Sequence, residues 1–256
     1  MPPVPKPPAT ASSSRRPLVM AVVAVAIVAA AALIVGSIVL GGGSSSPEAT
    51  STAAATTADT TSAPDTPEAV SLVAGIPQRG TMLGNPSASV RLLQFEDLQC
   101  PICRKYTENA FPAIVEEYIE PGRLRIDFRG IAFLGPDSEK ALRIAVAAGF
   151  QNKLWEVVGL FYANQGDENS GWVTNALIDE ILTEVPGLDA AKVKVDAKSP
   201  AVTKAIKAVQ AEATKLQVPG TPWFYVGVGL NAPYEIRPTS LTPGAFRPAL
   251  DDALNG

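Results

Sequence analysis

The sequence predicts an α/β domain with an inserted block of helices, placed after an apolar segment and a flexible linker. Short apolar-rich runs near residues 90 and 225, and an alternation of apolar and polar residues near 125, indicate strands. Between the second and third runs, residues 137–216 carry helix start signals and apolar residues at three- and four-residue steps. Ahead of the domain, residues 18–40 are apolar and residues 41–68 are small and polar.

The N-terminal part of the chain predicts a single membrane anchor. Residues 1–17 carry three basic residues and no acid, and residues 18–40 carry no charge at all. At about 1.5 Å per residue, a helix over residues 18–40 spans the roughly 30 Å hydrocarbon core of a bilayer. The basic flank places residues 1–17 in the cytoplasm and the domain outside the cell membrane. A cleaved secretory signal remains the alternative, although its apolar stretch is usually only about 7–15 residues long.

The rest of the chain predicts a tether and one domain. Residues 41–68 lack large apolar side chains and therefore indicate a flexible linker. Residues 69–256 contain enough aliphatic and aromatic side chains for one core. The chain is mildly acidic, with a net charge of −4, and its exported part shows no basic stripe, so we expect no nucleic-acid partner.

The predicted elements follow the order strand, helix, strand, several helices, two strands and a last helix. They are a strand at 89–95, a helix from Pro101 that bends at Pro112 and ends at 121–122, a strand at 124–131, helices within 137–216, strands at 222–228 and 234–237, and a helix from 242 onward.

The chemistry is predicted at the only two cysteines, which lie three positions apart where a strand passes into a helix. A helix N-terminus offers unpaired N–H groups and a partial positive charge, and both favour a thiolate. We therefore expect Cys100 to be an exposed nucleophile. Cys103, one helical turn further on, could attack a mixed disulfide and release the bound substrate.

Other uses of two cysteines are less consistent with the sequence. A structural zinc site needs four ligands, and the chain has no histidine and no third cysteine, so no metal is expected. A purely structural bridge would close too short a loop to restrain the unfolded chain strongly. Neither a P-loop nor a Rossmann glycine pattern is present, so no cofactor is expected.

Two segments resemble the DsbA-like branch of the thioredoxin superfamily. Residues 95–106, FEDLQCPICRKY, are similar to its active-site segment, and residues 218–226, VPGTPWFYV, to its cis-proline strand. With smaller similarities at 121–124 and 162–165, the resemblance covers residues 89–256. It implies a thioredoxin-like fold with an inserted helical subdomain and an activity in protein thiol–disulfide exchange.

The resemblance also implies individual roles. It makes Cys100 the attacking cysteine and Cys103 the resolving cysteine. Pro101 and Ile102 form the dipeptide that tunes the redox potential, and Thr221 and Pro222 form the substrate-binding loop. The peptide bond before Pro222 should then be cis. These roles require the thiols to face Pro222 and neither sulfur to lie deep in the interior.

The sequence departs from the family's pattern in two places. Six positions before the first cysteine, where a buried acid often assists the resolving thiol, this chain has Gln94. Glu96 or Asp97 could take over that role, although carboxylates that cap the turn are the favoured interpretation. Ile102 stands where well-known oxidants have histidine, so Cys100 has one fewer cationic neighbour. Trp223 is expected mainly in the core rather than in a substrate groove.

These observations predict a membrane-anchored extracytoplasmic oxidoreductase that exchanges disulfides with exported proteins containing cysteine pairs. Net oxidation is expected, with an unidentified membrane redox partner restoring the active state. A disulfide reductase or isomerase of the same fold is one alternative. A tethered chaperone or adaptor without redox turnover is another.

Overall fold

The computed structural model describes residues 67–256. The predicted cytoplasmic tail (1–17), the predicted anchor (18–40) and nearly all of the predicted linker lie outside the described residues. Within residues 67–256, no helix combines the length and the apolar character that crossing a bilayer requires.

A six-stranded mixed sheet forms the centre of the domain, in the order β1-β2-β4-β3-β5-β6. Only β3 and β4 run parallel, and every other neighbouring pair is antiparallel. The strands are β1 (Gln78–Arg79), β2 (Met82–Gly84), β3 (Val90–Glu96), β4 (Leu124–Gly130), β5 (Trp223–Val228) and β6 (Tyr234–Ile236). The four strands predicted from the sequence are confirmed, and β1 and β2 were not predicted.

Nine α-helices surround this sheet in residues 67–256, and α4 to α8 form the block inserted between β4 and β5. They are α1 (Glu68–Ser71), α2 (Pro101–Asn109), α3 (Phe111–Ile114), α4 (Pro136–Gly149), α5 (Leu154–Ala163), α6 (Asn175–Thr183), α7 (Ala190–Asp196), α8 (Pro200–Lys215) and α9 (Pro243–Asn255). This is the thioredoxin-like α/β fold with a helical insertion that the sequence predicts.

The helix predicted from Pro101 onward is divided into three pieces. After α2 and the single turn of α3, a π-helical turn covers Val115–Ile119. Pro112 has no N–H to donate to the carbonyl four residues earlier, so an uninterrupted helix would lose a hydrogen bond there. The interruption expected at this proline is therefore present, as a break rather than a smooth bend.

Both faces of β3 are buried, which fixes the strand that leads to the cysteines. Leu92 belongs to the main core, where Phe224 packs against Phe246 of α9 with ring centroids 5.0 Å apart. Leu93 and Phe95 face the opposite side and form a smaller cluster with Ala213 of α8. Because β3 is held from both sides, the turn after Glu96 and the start of α2 have a defined position.

Candidate active site

Cys100 occupies the N-cap of α2. Its backbone is extended (φ −72°, ψ 116°), and Pro101 takes the first helical turn, where a missing N–H costs no hydrogen bond. The backbone N–H of Cys103 donates to the Cys100 sulfur at 3.4 Å. The sulfur thus takes the place that a serine or aspartate oxygen fills at an ordinary helix start.

This position favours the ionised form of Cys100. The pKa of its thiol is lowered from 9.0 to about 6, chiefly by a hydrogen bond from Cys103, with further contributions from Thr221 and from the backbone N–H groups of Cys103 and Ile102. Burial of the sulfur acts in the opposite direction. At pH 7 a thiol with this pKa is about 90% thiolate.

Cys103 has the opposite character. Its side chain is fully buried, and burial raises the pKa of its thiol well above the ordinary value. The neighbouring Cys100 sulfur and the charge of Glu96 raise the same pKa further. The pair therefore consists of one ionised sulfur and one protonated sulfur, which matches an attacking and a resolving thiol.

Both sulfurs are less accessible than the sequence predicted. Cys100 is only 6% exposed and Cys103 is 0% exposed, so the expectation of an exposed nucleophile, with neither sulfur in the interior, was wrong. The cause at Cys100 is the loop around Thr221, whose carbonyl oxygen lies 3.4 Å from the Cys100 sulfur and can accept its S–H only when the thiol is protonated. Burial of Cys103 is compatible with a resolving role, because that thiol has to reach only Cys100.

The loop before β5 faces Cys100, as the resemblance implies. The Thr221–Pro222 peptide bond is cis, which confirms that expectation. The Thr221 hydroxyl oxygen is buried and has no hydrogen-bond partner among residues 67–256. It is thus a free donor beside the sulfur, in keeping with its lowering effect on the Cys100 pKa.

A groove of about 570 Å³ runs beside this loop, and its lining includes Ile102, Pro222, Trp223 and Leu241. Ile102 is 44% exposed and offers the groove an apolar surface. Trp223 is half-buried, with the guanidinium of Arg237 5.4 Å from its ring centroid. Trp223 packs against the smaller hydrophobic cluster, as expected of a core aromatic, and it also lines the groove.

Pro101 lies away from that groove. It lines a separate depression together with Lys105 of α2 and Glu168 of the loop after α5. The structure therefore brings Cys100, Ile102, Thr221 and Pro222 together on one side of the α2 N-terminus and leaves Pro101 on the other.

Asp97 serves the turn that holds Cys100. One carboxylate oxygen accepts from the backbone N–H of Gln99 at 2.9 Å and from the Ser138 hydroxyl at 2.5 Å. The other accepts from the backbone N–H groups of Phe133 and Leu134 at 3.0 and 3.2 Å. With four donors on a buried carboxylate, the predicted capping role is confirmed for Asp97.

Glu96 does not act as a cap and is the functional candidate whose role the sequence left undecided. It is fully buried, and one carboxyl oxygen accepts from the Tyr162 hydroxyl at 2.7 Å. The other oxygen has no partner among residues 67–256. Burial raises the pKa of Glu96 to about 8, against the lowering effect of Tyr162 and with a small rise from the charge on Cys100.

Gln94 lies at the position where the family often has an acid, and its side chain makes a hydrogen bond within the fold instead. Its side-chain oxygen accepts from the Tyr106 hydroxyl of α2 at 3.0 Å. The buried acid of this site is therefore Glu96, two residues further along β3. The signal available in the sequence was the apolar run before Glu96, which predicts burial at the strand end.

The chain is similar in sequence and in fold to known proteins. A family model described as Thioredoxin matches residues 78–232. A Bacillus anthracis protein described as "Probable disulfide bond formation protein D" is 30% identical over 154 residues, which cover 59% of this chain and 71% of that protein.

Solved structures show the same fold. Oxidised BdbD from Bacillus subtilis has a TM-score of 0.60 at 19% identity, covering 71% of this chain and 98% of that one. Alpha-DsbA1 from Wolbachia pipientis has a TM-score of 0.59 at 18% identity, covering 68% and 90%. At these identities, the two structures support the fold alone.

Proposed function

We infer the function from the premise that this chain belongs to the thioredoxin family, whose model spans residues 78–232, and is a DsbA-like protein-disulfide oxidoreductase. We propose that it is anchored in the cell membrane and acts on exported proteins outside it. In this proposal the redox pair is Cys100 and Cys103, and the net reaction is oxidation of substrate thiols.

One observation carries the assignment of the redox pair. An ionised Cys100 sulfur lies at the helix start, 3.4 Å from the Thr221 carbonyl oxygen beside the cis-proline, with the protonated Cys103 directly behind it. An extended substrate strand in the groove could pair with the Thr221 backbone and bring its own sulfur to Cys100. Pro101 and Ile102 would tune the potential of the pair, and Thr221 and Pro222 would hold the substrate.

The proposed reaction begins from the Cys100–Cys103 disulfide. A substrate thiolate attacks the Cys100 sulfur, the S–S bond breaks, and its electron pair leaves on Cys103. The second thiolate of the substrate attacks the sulfur bound to Cys100, forming the substrate disulfide and releasing Cys100 as a thiolate. The substrate loses two electrons and two protons; one proton ends on Cys103 and the other enters the solvent, because Cys100 stays ionised.

Glu96 is the group we propose to protonate Cys103 as it leaves. With a pKa of about 8, its buried carboxyl is mostly protonated at neutral pH, whereas the pKa of Cys103 is far higher. Transfer of the proton from Glu96 to the Cys103 thiolate is therefore favourable, and Glu96 then regains a proton from the solvent, which has received the protons of the substrate thiols. Tyr162 would hold the carboxyl in place through its 2.7 Å hydrogen bond.

The low pKa of Cys100 supports oxidation over reduction. A stabilised thiolate favours the dithiol form, and a couple whose dithiol is stabilised is the stronger oxidant. We expect a reduction potential above the −270 mV or so of a thioredoxin, shifted toward the value of about −120 mV typical of strong oxidants. A value near −270 mV would instead favour the reductase alternative. Reoxidation would require an electron acceptor, for which we propose an unidentified membrane partner.

Membrane anchoring is proposed from the uncharged residues 18–40, their basic N-terminal flank and the linker that follows. Protease digestion of intact cells tests the topology. A protease added outside should release the domain by cutting within residues 41–68 and leave an alkaline-resistant membrane fragment. Recovery of a soluble mature domain without protease would instead support a cleaved signal.

Trapping of a mixed disulfide tests the assignment of the two thiols. With a one-cysteine peptide whose sulfur is activated as a mixed disulfide with an aromatic thiol, Cys103→Ser should accumulate a covalent complex through Cys100, because neither Cys103 nor a second peptide thiol is present to resolve it. Cys100→Ser should form none, and the double variant serves as the matched control. If the double variant retained full biological function, the chaperone or adaptor alternative would replace the redox proposal.

A further inference from the structure

The helical insertion gathers six cationic side chains on one face. They come from α4, α7, α8 and the turn between the last two helices, and they are Lys140, Arg143, Lys194, Lys198, Lys204 and Lys207. We call these six residues the basic face. Because these positions are scattered over 68 residues of a chain with net charge −4, the sequence showed no basic stripe. The fold creates one.

Two adjoining depressions define the basic face. Lys140, Arg143, Lys194 and Lys198 line the first, which measures about 340 Å³. Lys198, Lys204 and Lys207 line the second, which measures about 530 Å³. Since Lys198 belongs to both, the six cations form one continuous surface.

Half of these cations are free to meet an external anion. Lys194 pairs with Asp179 at 2.8 Å, and Arg143 lies 3.7 Å from Glu139 while binding the Ala197 carbonyl oxygen. By contrast, three lysines are exposed and form no ion pair with any of residues 67–256. They are Lys198, Lys204 and Lys207. The basic face therefore carries uncompensated positive charge.

The two lysines of α8 in the basic face lie away from the redox site along that helix. This helix has 16 residues and is therefore about 24 Å long. Its C-terminal end leads to the loop with Thr221, whereas Lys204 and Lys207 lie in its first half. A surface bound to the basic face would leave the substrate groove open.

We propose that the basic face docks onto anionic lipid headgroups of the membrane to which the chain is tethered. The inference rests on the anchoring part of the proposed function. If residues 41–68 form the flexible linker that the sequence predicts, their root-mean-square length would be about 29 Å, which would keep the domain within reach of the bilayer. At physiological salt, charge attraction extends only about 8 Å, and such a tether makes repeated contact at that range frequent.

Lysine footprinting of the full chain in lipid vesicles tests this docking. We expect labelling of Lys198, Lys204 and Lys207 by an amine-reactive reagent to fall about threefold or more in anionic phosphatidylglycerol vesicles relative to zwitterionic phosphatidylcholine vesicles. Lys105 on α2 and Lys215 at the end of α8, both exposed, are internal controls whose labelling should not change. Raising the salt concentration to 0.5 M should abolish the protection.

A charge-reversed variant gives the matched comparison. In Lys198→Glu/Lys204→Glu/Lys207→Glu, Lys140 and Lys194 are still present and report on docking. Anionic vesicles should no longer protect these two lysines from labelling, while disulfide exchange in detergent stays unchanged. Unchanged exchange shows that the variant is folded.

The outcomes separate this inference from the proposal beneath it. A chain that floats with neither kind of vesicle contradicts the anchoring and the docking together. A chain that floats with both but is labelled equally in both contradicts the docking alone. Protection only on adding an acidic protein or a nucleic acid would assign the basic face to another partner and also overturn the inference.

Discussion

Replacement of Glu96 by glutamine should make the domain more stable, and increasingly so as the pH rises. The carboxyl titrates at about 4.5 when the chain is unfolded and at about 8 when it is buried in the folded protein. Below pH 4.5 both states are protonated. Between these two values the unfolded state ionises while the folded state keeps its proton, so wild-type stability falls as the pH increases.

The size of the effect follows from this window. Each pH unit inside it costs the wild type about 1.4 kcal/mol relative to a variant with no titrating group at this position. The stability difference between Glu96→Gln and wild type should therefore grow by about 3 kcal/mol from pH 5 to pH 7, and level off above pH 8. Glutamine keeps an oxygen that can accept the Tyr162 hydroxyl, so the difference isolates the charge.

Urea unfolding at pH 5, 6, 7 and 8 measures this difference. Both cysteines are best replaced by serine in each protein, so that no thiol titrates. Glu116→Gln, at an exposed position of the π-helical turn, is the matched control and should show no such trend. A Glu96→Gln difference that stays constant between pH 5 and pH 8 would refute the account of Glu96 as a protonated buried acid.

Three further predictions test the site and its support. Thr221→Val removes a donor beside the thiolate, so the midpoint of the Cys100 thiolate absorbance at 240 nm should move to higher pH. Thr221→Ser keeps the hydroxyl and should keep the wild-type midpoint. Equal midpoints in both variants would contradict the role of the hydroxyl. Asp97→Asn sets an NH₂ group against backbone donors and should lower the free energy of unfolding by about 2–4 kcal/mol in urea titrations. Stability within 0.5 kcal/mol or so of wild type would show that the four hydrogen bonds contribute little. Phe246→Ala should cost about 3–5 kcal/mol because the ring is fully buried between two others, whereas Leu254→Ala, at a half-buried position on the same helix, should cost clearly less.

The elements predicted correctly from the sequence are those with a strong local signal. Apolar-rich runs mark β3 and β5, alternation of apolar and polar residues marks β4, and proline or serine at helix starts marks α2, α4 and α8. The strands β1 and β2 have only two and three residues. β1 pairs with β2, and β2 pairs with β4, about 45 residues further along the chain. Such distant pairing leaves no periodic pattern, so neither strand is predicted from the sequence.

The residues of the site likewise fall into those that the sequence predicts and those that depend on tertiary contacts. Spacing and helix position predict the two thiols, and the Thr221–Pro222 loop was found through family resemblance. The role of Glu96 depends instead on Tyr162, which lies 66 residues away on α5 and meets it only after the inserted helices pack on the sheet. The low exposure of Cys100 likewise comes from a loop 121 residues later in the chain. These features follow from tertiary packing, which local propensity does not encode.

The function proposed here requires Cys100 to be ionised and Cys103 to be protonated. Alkylation at several pH values, with mass-spectrometric mapping, tests this difference most directly. In the reduced protein, the rate of carbamidomethylation at Cys100 should rise with a midpoint near pH 6, and Cys103 should stay unmodified through pH 9. A midpoint near pH 9 at Cys100, or earlier modification of Cys103, would contradict the assignment of Cys100 as the attacking thiolate.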